Sequence, residues 1–196
     1  MHKGRLEAFS DGVLAIIITI MVLELHAPQH AAHFSDLKPL LPVFLTYAMS
    51  FVYVGIYWNN HHHMLQVTQH VTGAVLWANL HLLFWLSLVP FVTGWLGENA
   101  IAKAPTALYG FVLLMSGVAY TILLREILRV PGGNKTLAEA VGRDMKGKAS
   151  VVFYAIAIAV SFWNPSISCL IYVFVALMWF IPDPRIERVV DKAADQ

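Results

Sequence analysis

Arg5-Leu6-Glu7-Ala8-Phe9-Ser10-Asp11-Gly12-Val13-Leu14-Ala15-Ile16-Ile17-Ile18-Thr19-Ile20-Met21-Val22-Leu23-Glu24-Leu25 is an apolar run whose charged residues gather at its two ends. Leu6 to Leu25 is long enough, at about 1.5 Å per helical residue, to cross a hydrocarbon core about 30 Å thick. Ionisable groups inside a membrane span are costly and turn toward protein or water rather than lipid. Arg5, Ser10 and Asp11 therefore call for partners on neighbouring helices, which a single anchor helix would lack. The run could be mistaken for a signal peptide, but it carries Asp11 and Glu24 and has no small-residue cleavage site before Pro28, so a retained helix is expected.

The rest of the chain has the same character. Only 13% of its 196 residues are charged and 58% are hydrophobic, against roughly a quarter charged in a soluble domain, and the mean hydropathy is +0.64. Pro28 and the polar segment His26 to Asp36 close the first block; a second runs from Pro39 and Pro42 to about Asn60, followed by the polar stretch His61 to Gln69. The third, about Val71 to Trp95, contains Pro90, where a kink is expected. A fourth runs from Ala104-Pro105 to about Leu124. A long polar segment, Arg125 to Lys148, follows, with a turn at Pro131-Gly132-Gly133-Asn134. The last apolar run, Ala149 to Ile181, is too long for one crossing and divides at Asn164-Pro165. The expected fold is an all-α integral membrane protein with six transmembrane helices, a single transmembrane domain over residues 1–196.

Six crossings bring both termini and the loops after helices two and four to one side. Of the 13 basic residues, only Lys38 and Lys103 then fall on the other. The positive-inside rule puts the basic side, and both termini, in the cytoplasm.

Composition and motif searches exclude several functions. The basic residues form no soluble face suited to nucleic acid. No phosphate-binding glycine loop, Ser-His-Asp set or helical His-Glu-x-x-His site is present, so an enzyme is not expected. Cys169 is the lone cysteine and offers no intrachain disulfide. Nine histidines suggest a proton or divalent-cation transporter, but consecutive His61, His62 and His63 spread over about 200° of a helix. His26, His30 and His33 have i, i+4, i+7 spacing, which Pro28 interrupts, and no metal site is expected. A non-conducting membrane scaffold is the other alternative.

On a wheel of about 100° per residue, Gly12, Ile16, Thr19, Ile20 and Leu23 share a stripe about 100° wide, and Ser10 and Asp11 project elsewhere. Such stripes occur by chance on transmembrane helices, so periodicity alone does not find a pore. The spacing Arg5-x-x-x-Phe9-Ser10-Asp11, continuing through Gly12 to Ile17, resembles the signature of the lysosomal potassium channel family, transmembrane protein 175 and its bacterial relatives. Trp58 followed by His61, and the pair Asn79-Leu80, resemble two further family motifs. The resemblance covers the first half of the chain; helices four to six add no signature.

That resemblance implies a potassium-permeable cation channel whose first helices surround a central pore, with potassium as the permeant ion and no cofactor. It makes Ile16, Ile20 and Leu23 the constriction and gate, with Thr19 contributing cation preference through a hydroxyl that can replace hydration. It gives Ser10 and Asp11 a structural role, bonded to Trp58, His61 and Asn79; direct ion coordination is the alternative. Arg5 belongs either to this network or to the cytoplasmic pore mouth. Glu24, at the outer end, either attracts cations or snorkels to the interface. One motif per chain, against two repeats in animal members, implies a homotetramer, and the bacterial likeness a multi-pass protein of the bacterial inner membrane.

Topology is testable in a Cys169→Ser background. Cysteines replacing Lys38 or Lys103 should react with an impermeant thiol reagent in sealed cells, and one replacing Lys146 should not; labelling at Lys146 would reverse the orientation.

Overall fold

A computed structural model describes residues 3–28, 32–66, 68, 70–129 and 145–180. His30 and the turn from Pro131 to Asn134 lie outside them. The described elements are α1 (Lys3–Leu23), a 3-10 segment (Phe34–Leu40), α2 (Leu41–Gln66), α3 (Gly73–Ser87), α4 (Val89–Glu98), α5 (Lys103–Leu128), α6 (Met145–Ser161) and α7 (Pro165–Phe180). Because α3 and α4 together make the third span, the described residues form six helical spans. Four segments, Lys3–Leu23, Phe34–Gln66, Gly73–Glu98 and Lys103–Leu128, are long and apolar enough to cross a membrane. α6 and α7, with 17 and 16 residues, form the shorter pair split at Asn164, whose side-chain oxygen accepts the Ser166 and Ile167 N–H groups at 3.1 and 3.4 Å.

Several boundaries differ from the sequence expectation, and three of them have a clear local reason. The polar stretch after Asn60 continues α2 to Gln66, because it contains no breaker and buries His61, Met64 and Leu65. The third span breaks at Leu88 rather than bending at Pro90. Proline disfavours helical backbone at the residue before it and leaves the carbonyl four positions back without its N–H partner, so the irregularity falls in the preceding turn. The Leu88 N–H instead reaches Leu86 O and Trp85 O, and α4 restarts with Pro90 in its first turn. α5 extends to Leu128, carrying Arg125 on the helix, because Ile127 is buried.

The bundle has α5 near its centre, packed on α3, α4, α6 and α7, while α1 packs mainly on α2, α3 and α4 at one flank. Hydroxyl groups tie the helices together, as bilayer packing favours where apolar contact alone gives little drive to associate. Tyr109, Ser50 and Thr93 form a hydroxyl row linking α5, α2 and α4 at 2.9 and 2.7 Å. Tyr53 donates to Tyr172 O at 2.5 Å, and Tyr172 donates to Thr106 O at 3.0 Å.

Close approach falls on two glycines. A Cβ at Gly97 would lie 2.7 Å from Thr46 Oγ1 and 2.9 Å from Val43 Cα, so α4 and α2 meet almost backbone to backbone. One at Gly110 would collide with the Tyr172 hydroxyl, whereas one at Gly117 would meet only the Tyr57 hydroxyl, at 3.8 Å. Gly110→Ala should therefore destabilise the protein by about 1–3 kcal/mol, read as a lowered unfolding midpoint in detergent, and Gly117→Ala should leave it unchanged. Equal midpoints for the two variants would contradict this packing.

Candidate functional site: the first helix and its polar anchor

α1 has two unlike faces. Leu6, Ser10, Leu14, Ile17 and Met21, at helical spacing, are buried against the bundle. The opposite face is uncovered: Ile16 is 58% exposed, Ile20 42% and Leu23 70%, with Gly12 and Thr19 of the same stripe also exposed. Phe9 and Arg5 continue the same exposed side toward the start of the helix. The Thr19 hydroxyl donates to Ala15 O and Ile16 O, both at 3.0 Å, which leaves its lone pairs directed away from the helix.

The buried face is held by a hydrogen-bonded chain through three helices. His61 Nε2 of α2 donates to Asn79 Oδ1 of α3 at 2.7 Å, because an amide oxygen only accepts. Asn79 Nδ2 donates to Ser10 Oγ of α1 at 3.0 Å, and Ser10 donates to Leu6 O at 2.8 Å. Ser10, Asn79 and His61 are all buried, and each link uses a donor and an acceptor that would otherwise be orphaned in a low-dielectric interior.

Asp11 has a separate partner. Its Oδ1 accepts the Trp58 indole N–H at 3.1 Å, and the Trp58 ring stacks on His62 at 6.0 Å between centroids. Gln66 Nε2 lies 2.9 Å from His62 Nε2, extending this branch along the last turn of α2. The sequence named Ser10, Asp11, Trp58, His61 and Asn79 as one group; the structure divides them into a buried branch and a half-exposed branch. Arg5 joins neither, being exposed and without a hydrogen bond or ion pair to the described residues. Lys3, not Arg5, pairs with Glu7, at 3.5 Å.

At the other end of α1, Glu24 packs over Gly94 of α4, where an added Cβ would meet Glu24 Oε2 at 3.2 Å. Glu24 and Glu98 both line a cleft of about 570 Å³ between α1 and α4, together with Ile16, Ile20 and Trp95. Glu98 escaped the sequence reading. Its signal was a carboxylate at the end of a span, but nothing local to Trp95-Leu96-Gly97-Glu98 says that α4 lies beside α1. The histidine spacing fails on the structure: α1 ends at Leu23, so His26 is outside any helix, and His33 precedes the 3-10 segment. Among the described residues no cluster of three His, Cys, Asp or Glu side chains is placed to hold a metal ion.

Comparison with known proteins fits this arrangement. The family model described as the endosomal/lysosomal potassium channel TMEM175 matches residues 5–90, the segment that supplies both branches of the anchor. A potassium channel of Chryseobacterium sp. is 56% identical over 188 residues, covering 96% of this chain and 97% of the relative. A potassium channel of Chamaesiphon minutus is 34% identical over 133 residues, 64% of this chain and 66% of that one. The crystal structure of a lysosomal potassium-selective channel TMEM175 homolog from Chamaesiphon minutus superposes with a TM-score of 0.80 at 28% identity, over 92% of this chain and 97% of that chain. With the anchor of its first helix, its six helical spans and these relatives in agreement, the chain belongs to the TMEM175 family of ion channels.

Proposed function

We propose that the chain is one subunit of a potassium-permeable channel, a homotetramer in which four copies of α1 surround the conduction path. The observation that carries this reading is the division of α1: a polar-anchored buried face, and an uncovered face bearing Ile16, Thr19, Ile20 and Leu23 in line. A helix fixed on one side and bare on the other suits a pore wall made by repetition of one element around an axis. The names of the bacterial relatives, potassium channels and a potassium-selective channel homolog, support potassium as the permeant ion.

In this reading Ile16 forms the narrowest ring, and Ile20 and Leu23 add rings toward the outside. Converging aliphatic side chains leave little room for a hydrated cation, so the closed path dewets without a moving plug. Thr19, between them, offers oxygen lone pairs that replace part of the ion's hydration. Glu24 and Glu98 give the outer mouth negative charge that raises local cation concentration. The Ser10 and Asp11 branches hold the wall from behind and do not touch the ion; Arg5 lies at the cytoplasmic mouth. Both termini are cytoplasmic, the membrane is the bacterial inner membrane, and conduction requires neither cofactor nor catalytic chemistry.

Two experiments test the parts separately. Ile16→Asn should wet the constriction and raise potassium flux severalfold in liposomes, and Thr19→Val should weaken discrimination between potassium and sodium without disturbing assembly. Unchanged flux and selectivity in correctly assembled protein would remove α1 from the pathway. Asn79→Ala, which orphans the Ser10 and His61 groups, should cost about 1–3 kcal/mol for each buried group left unpaired. The expected readout is a lower yield of tetramer and a lower unfolding midpoint, and normal assembly with altered ion selectivity would instead indicate ion coordination by this cluster.

A further inference from the structure

A second site lies inside the bundle, with no residue of α1 in its wall. Tyr57 and Asn60 of α2, Gly117 and Tyr120 of α5, Tyr154 of α6 and Trp179 of α7 surround a partly enclosed cavity of about 40 Å³, within a larger space of about 510 Å³ that opens outward. On the scale where one water needs about 10–15 Å³, the enclosed part admits a small polar head and the open part an attached chain.

Most polar groups in the wall are already engaged. Tyr53 donates to Tyr172 O at 2.5 Å, Thr121 donates to Gly117 O at 2.9 Å, and Ser150 accepts the Trp179 indole N–H at 2.8 Å. Tyr57 differs. It is only 8% exposed, yet its hydroxyl makes no hydrogen bond with the described residues, and it points toward the Gly117 side of the cavity. A hydroxyl that faces a narrow cavity and makes no bond to the surrounding helices is free to bond with whatever occupies that cavity. Asn60 adds a free acceptor next to it, because its Nδ2 donates to Ile56 O at 2.8 Å while its Oδ1 carries no bond.

Among the described residues no Asp, Glu, Lys or Arg lines the cavity, and an ion placed there would lose its hydration without a counter-charge from them. The walls are otherwise ring faces: Tyr120 stands edge-on to both Tyr57 and Trp179, at 6.2 and 6.3 Å between centroids. We propose that this cavity is a binding site for a neutral, hydroxyl-bearing amphiphile. Its head group exchanges hydrogen bonds with Tyr57 and Asn60, and its alkyl chain lies along the aromatic rings. The site is separate from the conduction path, and Tyr57 stands one helical turn from His61, the first link of the α1 anchor.

The test uses the full chain in lipid nanodiscs and a hexanol bearing a terminal trifluoromethyl group, followed by fluorine NMR line broadening. Wild-type protein should give saturable broadening above the linear uptake by lipid. Tyr57→Phe, which keeps the ring and removes the hydroxyl, should weaken binding roughly three- to tenfold. Gly117→Leu, which grows into the cavity, should abolish the saturable component while potassium flux persists. Linear partition alone in the wild type, or equal saturable binding by wild type and Tyr57→Phe, would overturn the site. Tighter binding of the matching alkylammonium ion than of the alcohol would overturn its assignment to neutral ligands.

Discussion

The hydrogen-bonded chain from His61 through Asn79 to Ser10 sets the rotation of α1, and most of what the protein can do follows from that rotation. A slip of one residue turns a helix by about 100°, which would carry the Ser10 hydroxyl away from Asn79 and leave two buried polar groups unpaired. In hydrocarbon, where one apolar contact is nearly as good as another, a directional bond of this kind fixes register in a way that leucine packing does not. The second branch, Asp11 to Trp58, holds the same turn of α1 from a neighbouring angle.

The consequence of that register is geometric. With Leu14 and Met21 each 1% exposed on the anchored side, the stripe from Gly12 to Leu23 is turned outward along its whole length. Isoleucine and leucine suit either lipid or a dry constriction. The added Thr19, and the charged Arg5 and Glu24 toward the two ends, suit a path that meets water at both mouths. The two carboxylates beside the end of this stripe reach it by different routes, Glu24 from α1 and Glu98 from α4, and the close pass over Gly94 brings them to one cleft.

Much of this was legible before any coordinates. The charge placed among apolar residues at Arg5 to Asp11 announced a helix with protein neighbours, and Trp58, His61 and Asn79 were the polar residues able to serve it. Which bonded to which was not legible, because that depends on how three helices cross. Pro90 signalled a break, but its position at Leu88 follows from steric conflict in the preceding turn. The polar run His61 to Gln69 read as a loop since its composition is hydrophilic; it is helical as far as Gln66 because Met64 and Leu65 still find the core. Arg5 belongs to the family-like motif by spacing yet makes no bond with the described residues, so its motif position and its contacts carry different information. The unpartnered Tyr57 hydroxyl left no trace in the sequence at all, since its isolation is a property of four helices together.

The most direct measurement is side-chain accessibility along α1 under conduction. In a Cys169→Ser background, Leu23→Cys is treated with a small cationic thiol reagent in potassium-loaded liposomes, with mass spectrometry to establish complete modification and Leu14→Cys as the buried control. Loss of potassium flux on modification of Leu23→Cys, slowed by high potassium and absent for Leu14→Cys, is the expected result. Undiminished flux after complete modification of Leu23→Cys would contradict a pore lined by the first helix.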